Sequence, residues 1–207
     1  MWTSSHDSNP NTCLDVGPDG HVYHGSDSNE RIFKTNQSDG SEMEAYYPSS
    51  SHTHVLAVDK DRWLYTFNTR FGEAVMHVFS DTGNLAVNES PIHDAGRCTG
   101  VAVLPSAIEI VTTHVNVDGE SDGGCVRKST WDNNEIWRQT FEPGEEYNCV
   151  AIDIAGFIYV GSVSDQGQNR LRKISPEGNL IYTRDESVPV AAIAVEPGPT
   201  GAFSDHY

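Results

Sequence analysis

One pattern of short strands repeats along most of the amino-acid sequence. In each unit an apolar strand, a tight turn and a second strand with a large apolar residue precede a polar loop, an alternating strand, a turn and a fourth strand. Corresponding apolar residues recur at intervals of 42, 45, 49 and 43 positions; they are Val16, Val58, Val103, Ile152 and Val195. This period indicates an array of four-stranded antiparallel sheets, since a β-sandwich lacks so regular a four-strand interval.

The second turn of each unit has the composition of a tight hairpin. Asp39-Gly40, Thr82-Gly83-Asn84, Asn133-Asn134 and Glu177-Gly178-Asn179 all stand between two strand-like segments. Glycine and asparagine are favoured there because hairpin turns require positive φ angles. The turns therefore predict that the third and fourth strands of each unit are directly connected neighbours.

The repeat predicts an all-β fold, a small five-bladed β-propeller in a single domain over residues 1–207. Met1-Trp2-Thr3 resembles the strand ends Ile136-Trp137-Arg138 and Ile181-Tyr182-Thr183, so the N-terminus is expected to add an outer strand to the fifth blade. The fifth blade then lacks about one strand, which a neighbouring chain would complete, and a four-bladed ring is the alternative. The blades are expected at about 13–51, 52–96, 97–146, 147–187, and 188–207 with 1–12. The residues expected to close the ring are Met1, Trp2, Thr3, Ile193, Val195 and Phe203.

The fourth unit carries the most specific motif. Lys173-Ile174-Ser175-Pro176-Glu177-Gly178-Asn179-Leu180-Ile181-Tyr182 resembles the repeats of PQQ-like and NHL-like β-propellers, and Asp153 to Tyr159 fits their D-x-x-G-x-hydrophobic-Tyr turn. The third unit departs most, with Leu104-Pro105-Ser106-Ala107 in place of the Asp-Gly turn. The resemblance implies a propeller fold over almost the whole chain. It implies little about activity, because such folds serve as enzymes, lectins, scaffolds and virion parts.

The charge balance limits the class of partner. The net charge is −17, with 30 acidic residues against 13 basic ones. Such a surface repels polyanions, so neither nucleic acid nor membrane insertion is expected. Few lysines among many aspartates also suit a halophilic origin, with an acidic protein of moderate salt as the alternative. No signal peptide and no apolar run of membrane-spanning length is visible in the sequence. The four cysteines lack paired spacing, which favours buried free thiols over zinc and leaves a disulfide open.

Metal sites are weakly indicated. Asp118, Glu120 and Asp122 alternate before glycine, as in the first half of a calcium loop, but no bidentate glutamate follows at the required distance. A solvated acidic loop is the alternative, and no cofactor is expected. His52 and His54 fall on one face of a predicted strand and could bind a transition metal together with a third ligand.

Three tyrosines are the candidate ligand-binding residues. Tyr46, Tyr47 and Tyr147 are expected to be exposed in loops. Most of the residues Trp63, Trp131, Trp137 and Tyr65 are expected to pack between blades. No catalytic motif of a known hydrolase, kinase or metalloprotease is present in the sequence.

The sequence thus favours a non-catalytic interaction or structural protein. Compact PQQ-like blades resemble accessory proteins of tailed phage and archaeal virus particles, so the expected location is a virion surface, as capsid decoration, turret or tail accessory protein. The expected partners are other copies of the chain, other structural proteins, or host surface glycans. A small carbohydrate-binding lectin is the first alternative and a propeller enzyme is the second.

Overall fold

In the part of the chain that the structure describes, sixteen strands form four antiparallel sheets. A computed structural model describes residues 11–26, 31–48, 53–70, 73–92, 96–104, 108–115, 124–164 and 166–195, and in these ranges it contains strands and no helix. Each sheet has four strands in chain order. The strands are β1 (Asn11–Val16), β2 (Val22–Ser26), β3 (Ile32–Thr35), β4 (Glu42–Tyr46), β5 (Thr53–Val58), β6 (Leu64–Arg70), β7 (Glu73–Phe79), β8 (Leu85–Ile92), β9 (Arg97–Val103), β10 (Glu109–Val115), β11 (Cys125–Thr130), β12 (Glu135–Gln139), β13 (Glu146–Ile152), β14 (Ile158–Val163), β15 (Asn169–Ile174) and β16 (Leu180–Glu186).

The all-β prediction and the four-strand unit are therefore confirmed. The first sheet is β1–β4, the second β5–β8, the third β9–β12 and the fourth β13–β16. The chain divides into two compact units, residues 1–98 and 99–207. Within the first unit, β5 packs on the first sheet, and within the second unit β13 packs on β10 and β11.

An aspartate organises the first hairpin of the second sheet. Asp59 Oδ1 accepts hydrogen bonds from the backbone N–H groups of Asp61 and Trp63, both at 2.8 Å. Its second oxygen, Oδ2, accepts a hydrogen bond from the Tyr65 hydroxyl at 3.1 Å. Arg62 has a φ of 68°, a left-handed conformation that the turn imposes. One carboxylate therefore fixes both the turn and the tyrosine of the following strand.

The fourth sheet repeats this arrangement. Asp153 Oδ1 accepts from the N–H groups of Ala155 and Phe157, both at 2.9 Å, and Oδ2 accepts from the Tyr159 hydroxyl at 3.0 Å. Gly156 takes the positive φ, 85°, that Arg62 takes in the second sheet. The D-x-x-G-x-hydrophobic-Tyr pattern is thus a structural motif.

The first and third sheets vary the motif. In the first sheet the carboxylate has moved to Asp19, and the Tyr23 hydroxyl donates to it across a longer distance of 3.4 Å. The third sheet has Leu104 at the aspartate position and Val111 at the tyrosine position, since Val111 pairs with Lys128 as Tyr159 pairs with Lys173. Both partners are therefore missing together. The departure seen in the third unit is therefore a paired loss.

Every outer strand contains a bulge just after the second turn. The register between the third and fourth strands slips by one residue at the same point in all four sheets. A bulge twists an edge strand and hinders its pairing with another strand. The extra residues, all exposed, are Met43, Ala86, Ile136 and Ile181.

Each unit has its own apolar core. The core of the first unit lies between the first and second sheets and consists of Tyr23, Ile32, Tyr46, Leu56, Leu64 and Phe79. The core of the second unit contains Val111, Val126, Tyr147, Ile158, Val160 and Ile174. All four cysteines are free thiols, as expected, and three are buried.

Sheets within a unit approach closely at their inner strands. The Cys13 thiol donates to the Thr53 carbonyl at 3.8 Å, and the Cys149 thiol donates to the Val190 carbonyl at 3.3 Å. A side chain at Gly161 would meet Val190 at 2.8 Å, so glycine is required there. Val190 therefore lies against the fourth sheet as Thr53, the first residue of β5, lies against the first.

The predicted ring closure lies largely outside the described residues. Met1, Trp2, Thr3 and Phe203 fall in ranges that the structure does not describe. Ile193 and Val195 are described, and they do not form the strand that the repeat predicts.

Candidate functional site

Two of the three candidate tyrosines are buried, so their expected exposure was wrong. Tyr46 is 3% exposed, lies in the core of the first unit, and donates its hydroxyl to Glu44 at 3.1 Å. Tyr147 is fully buried in the core of the second unit. Burial is the first cause that raises the pKa of both phenols. Both side chains pack in a core, because Tyr46 is the last residue of β4 and Tyr147 is the second residue of β13.

Tyr47 is the candidate that remains at the surface. It is 59% exposed, and the Arg31 guanidinium lies 5.1 Å from the centre of its ring. An exposed aromatic ring beside a cation can stack on a sugar while the guanidinium binds its hydroxyl or carboxylate groups. Arg31 was not among the predicted residues, since the cation–π contact becomes visible only when β3 and β4 are aligned.

A buried carboxylate lies at the end of the fourth sheet. Glu145 Oε1 accepts hydrogen bonds from Ser162 Oγ at 2.6 Å and from Nε and Nη2 of Arg172 at 3.0 and 2.9 Å. Glu145 Oε2 accepts from the Tyr147 hydroxyl at 2.8 Å. All four side chains are buried. We call this set the fourth-sheet cluster.

The arginine of the fourth-sheet cluster is fully paired. Arg172 Nη1 donates to Thr183 Oγ1 at 2.7 Å and Nη2 donates also to Glu142 at 3.1 Å. Glu142 binds Arg170 as well, and hydrogen bonds from Arg170 and Arg172 lower the pKa of Glu142. Every charge in the cluster has a partner, as buried ion pairs require, so the cluster is a structural one.

A second buried polar group lies on one face of the third sheet. Thr112 and His114 alternate along β10, and Arg127 of β11 stands opposite Thr112. His114 Nε2 and Thr112 Oγ1 are 2.8 Å apart, whereas His114 Nδ1 has no hydrogen-bond partner in the described part of the chain. Burial, followed by the charges of Arg127 and Arg138, lowers the pKa of His114 to about 3. The imidazole is therefore neutral at neutral pH.

The guanidinium of Arg127 keeps one donor without a partner among the described residues. Arg127 Nε donates to Glu135 Oε2 at 3.0 Å, and Nη2 of Arg138 donates to the same oxygen at 2.8 Å. Arg127 is 3% exposed, and its Nη1 has no partner among the described residues. Cys125, across from His114, is a poor nucleophile because burial raises the pKa of its thiol to about 11. We call His114, Arg127, Glu135 and Arg138 the third-sheet cluster.

The predicted metal ligands are not described. Asp118, Glu120 and Asp122 lie in the range 116–123, outside the described residues, and so do His52 and the side chain of His54. Among the residues that the structure does describe, no cluster of three or more histidine, cysteine or acidic side chains could hold a metal ion. The calcium site stays a prediction.

The tryptophans differ in exposure. Trp131 is 38% exposed, so it lies outside the predicted packing between blades, whereas Trp137 packs against the core of the second unit.

In the described ranges no helix has the length and hydropathy needed to cross a membrane.

Comparison with known proteins supports the fold. No family model and no curated protein matches the chain. Among solved structures, the Kuenenia stuttgartiensis hydrazine synthase, a protein that contains a β-propeller, is similar with a TM-score of 0.70. The match covers 89% of this chain and 51% of that one, at 12% sequence identity. This chain thus spans about half the length of the matched one, and the likeness concerns the fold alone. The four antiparallel sheets and this likeness together define a β-propeller-like protein.

Proposed function

We propose that this protein is a non-catalytic interaction module whose outer strands contact other proteins. The observation that carries the proposal is the repeated bulge. Met43, Ile136 and Ile181 stand at the same position of three outer strands and are each about half exposed, at 52%, 45% and 48%. We infer that these exposed apolar side chains, repeated at one position of three outer strands, make the contact with another protein. The bulges also hinder strand pairing, so the contact would use side chains rather than added strands.

A catalytic role is not part of the proposal. The buried acids at the repeat turns, Asp59 and Asp153, use both carboxylate oxygens to hold a turn and a tyrosine. Glu145 is likewise bound by three side chains. These contacts support a structural role for the acids.

The assembly that we propose is a virion surface, with this chain as capsid decoration, turret or tail accessory protein. Support comes from the resemblance of its blades to such accessory proteins and from its acidic charge, which suits a high-salt host. Neighbouring genes for a major capsid or tail protein are expected, and antibody labelling should find the chain on purified particles. Absence from particles that carry all the other structural proteins would refute this location.

The contact surface can be tested separately. Changing Met43, Ile136 and Ile181 together to serine should lower the mass measured by sedimentation equilibrium in high salt, or abolish binding to purified particles. Val188→Ser is the control, because Val188 is 65% exposed and lies outside the bulges. Unchanged mass and unchanged particle binding in the triple variant would exclude the bulges as the contact.

We also propose that five blades close into a ring. Val190 begins a fifth repeat at the position of Thr53, and the Cys149–Val190 contact corresponds to the Cys13–Thr53 contact. On the first sheet Leu14 is 65% exposed, whereas Leu56, its counterpart in the second sheet, is 6% exposed. A fifth blade would cover Leu14 as the first sheet covers Leu56.

Ring closure predicts that Leu14 is buried in solution. Leu14→Ser should then lower the free energy of unfolding by about 2 kcal/mol or more, as for a core leucine. Deletion of Met1–Thr3 should lower the melting temperature as well. Val188→Ser again serves as the control. A Leu14→Ser variant as stable as the control would favour an open array or the four-bladed alternative.

Carbohydrate binding is the second candidate function, and Tyr47 with Arg31 supports it. Tyr47→Ala should abolish micromolar binding on a glycan array, whereas Tyr46→Phe, which removes only a buried hydroxyl group, should leave that binding intact. A protein that binds no glycan before any substitution would exclude this candidate.

A further inference from the structure

The polar clusters of the third and fourth sheets occupy the same position in the repeat. Arg127 and Arg172 both lie on the third strand of their sheets. Arg127 pairs with Thr112, two residues before His114. Arg172 pairs with Val160, two residues before Ser162. His114 and Ser162 are both buried. The two sheets therefore place a guanidinium group and a buried hydrogen-bonding side chain at corresponding points.

In the fourth sheet a carboxylate joins these two groups. Glu145 Oε1 accepts hydrogen bonds from both Ser162 and Arg172. Glu145 lies seven residues before the apolar residue that marks its repeat, Ile152, and the residue seven positions before the corresponding Val103 is Gly96. The third sheet thus keeps the guanidinium group and the polar partner but has glycine where the carboxylate would come from.

The third-sheet cluster has the groups that such a carboxylate would satisfy. His114 Nδ1 and Arg127 Nη1 are buried atoms without hydrogen-bond partners among the described residues. Arg127 Nε donates to Glu135 and Nη2 donates to the Asn133 carbonyl, so Nη1 is the nitrogen left to bind a further acceptor. Buried donors without acceptors are costly, and a bound anion that accepts from both removes the cost.

We infer that the third-sheet cluster binds a small monovalent anion, the size of chloride or formate, between His114 Nδ1 and Arg127 Nη1. The anion takes the place that the Glu145 carboxylate has in the fourth sheet. His114 is neutral and carries its proton on Nδ1, so that Nδ1–H donates to the anion and Nε2 accepts from the Thr112 hydroxyl. The anion accepts hydrogen bonds from two buried donors that have no acceptor among the described residues.

The first experiment measures thermal stability while one anion replaces another. Sodium chloride, sodium bromide or sodium formate replaces sodium gluconate at constant sodium concentration, since gluconate is too large for a buried site. The melting temperature should rise with small-anion concentration, by roughly 5 °C at about 100 times the dissociation constant. Equal melting temperatures in gluconate and in every small anion would overturn the inference. The chloride and formate series show which of the two binds more tightly.

Two variants separate the site from general salt effects. Arg127→Gln leaves Glu135 paired with Arg138 and should abolish the difference between small anions and gluconate. Arg170→Gln removes the same charge from a guanidinium that the acids Glu142 and Asp185 already neutralise, and it should keep the full anion dependence. Anion dependence that survives in Arg127→Gln, or disappears equally in both variants, would refute the site.

A second measurement uses the unmodified protein and does not depend on whether Arg127→Gln folds. Chloride NMR should show line broadening by the protein that saturates and that formate reverses. Nitrogen NMR of His114 should show the proton on Nδ1 in chloride. Broadening that never saturates, or a His114 protonated on Nε2, would overturn the inference. All these results are independent of particle binding and self-association, so they test the anion site apart from the proposed function.

Discussion

The hydrogen bond between Tyr159 and Asp153 is expected to contribute substantially to the stability of the fourth sheet. The Tyr159 hydroxyl donates to Asp153 Oδ2 at 3.0 Å, and Asp153 is only 1% exposed. A hydrogen bond to a charged group contributes about 1.5–3 kcal/mol, and the acceptor would otherwise be buried without a partner. Tyr159→Phe removes one hydroxyl and leaves the ring, so it should lower the free energy of unfolding by about 1.5–3 kcal/mol.

Asp153→Ala should cost more, because it also leaves two backbone N–H groups of the turn without an acceptor. We expect a loss of about 3–5 kcal/mol, and for the double variant a loss that is smaller than the sum by roughly 1–2 kcal/mol. The measurement is urea unfolding of the four proteins of the cycle, followed by tryptophan fluorescence. Within one protein, the matched control is Tyr23→Phe in the first sheet, whose longer bond of 3.4 Å to Asp19 should give a smaller loss.

Additive effects of the two substitutions, within about 0.3 kcal/mol, would show that the hydroxyl and the carboxylate act independently and would refute the reasoning. Equal losses of unfolding free energy for Tyr23→Phe and Tyr159→Phe would also contradict it. In that case the hydroxyl–carboxylate distance would not determine the strength of the hydrogen bond. The third sheet agrees with the coupled view, because it lacks both partners at once. Replacing both members of a polar pair by apolar residues is nearly neutral.

Two further predictions concern the tyrosines of these turns and a glycine of the last hairpin. Burial, followed by the hydrogen bond to Asp153, raises the pKa of Tyr159 to about 12, and burial followed by the charge of Asp59 raises the pKa of Tyr65. The stability that these pairs supply should therefore be complete below pH 10 and decline from there to about pH 12. Alkaline unfolding, followed by the absorbance of ionised tyrosine, measures this decline. A Cβ at Gly178 would stand 3.0 Å from the ring of Trp137, whereas a Cβ at Gly167 would meet open space at a similar positive φ. Gly178→Ala should therefore lower the free energy of unfolding by about 2–4 kcal/mol, against about 1 kcal/mol for Gly167→Ala. Equal losses would contradict the packing argument.

The repeat and its turns were predictable from sequence because their chemistry is local. A turn such as Glu177-Gly178-Asn179 requires positive φ, and Gly178 has a φ of 91°. The outer-strand bulges were not predicted, since a slip of one residue at Ile181 leaves the composition of the strand unchanged. The predicted exposure of Tyr46 was wrong for a related reason. The serine- and proline-rich stretch that follows it indicates a loop, but Tyr46 itself is the last residue of β4 and packs in the core.

The third-sheet cluster could not be predicted from spacing alone. His114 and Arg127 are separated by a loop, and only the register of β10 and β11 places them on one face. Sequence comparison between units does contain a signal, because Arg127 and Arg172 occupy one repeat position while Glu145 has only Gly96 as its counterpart. That signal can be read only after the strand register has established which positions correspond.

The two ways in which the third sheet departs from its neighbours have opposite physical consequences. Leu104 and Val111 replace an acid and a tyrosine together, so that turn loses a hydrogen bond and leaves no buried polar group unpaired. Gly96 stands where the fourth sheet has its acid, but Arg127 keeps the guanidinium group that such an acid would bind. The paired loss removes donor and acceptor together, whereas loss of the acid alone leaves Arg127 Nη1 without an acceptor among the described residues, at the place where we infer a bound anion. Salt concentration should therefore act on this protein at one defined place, in addition to its general screening of the acidic surface.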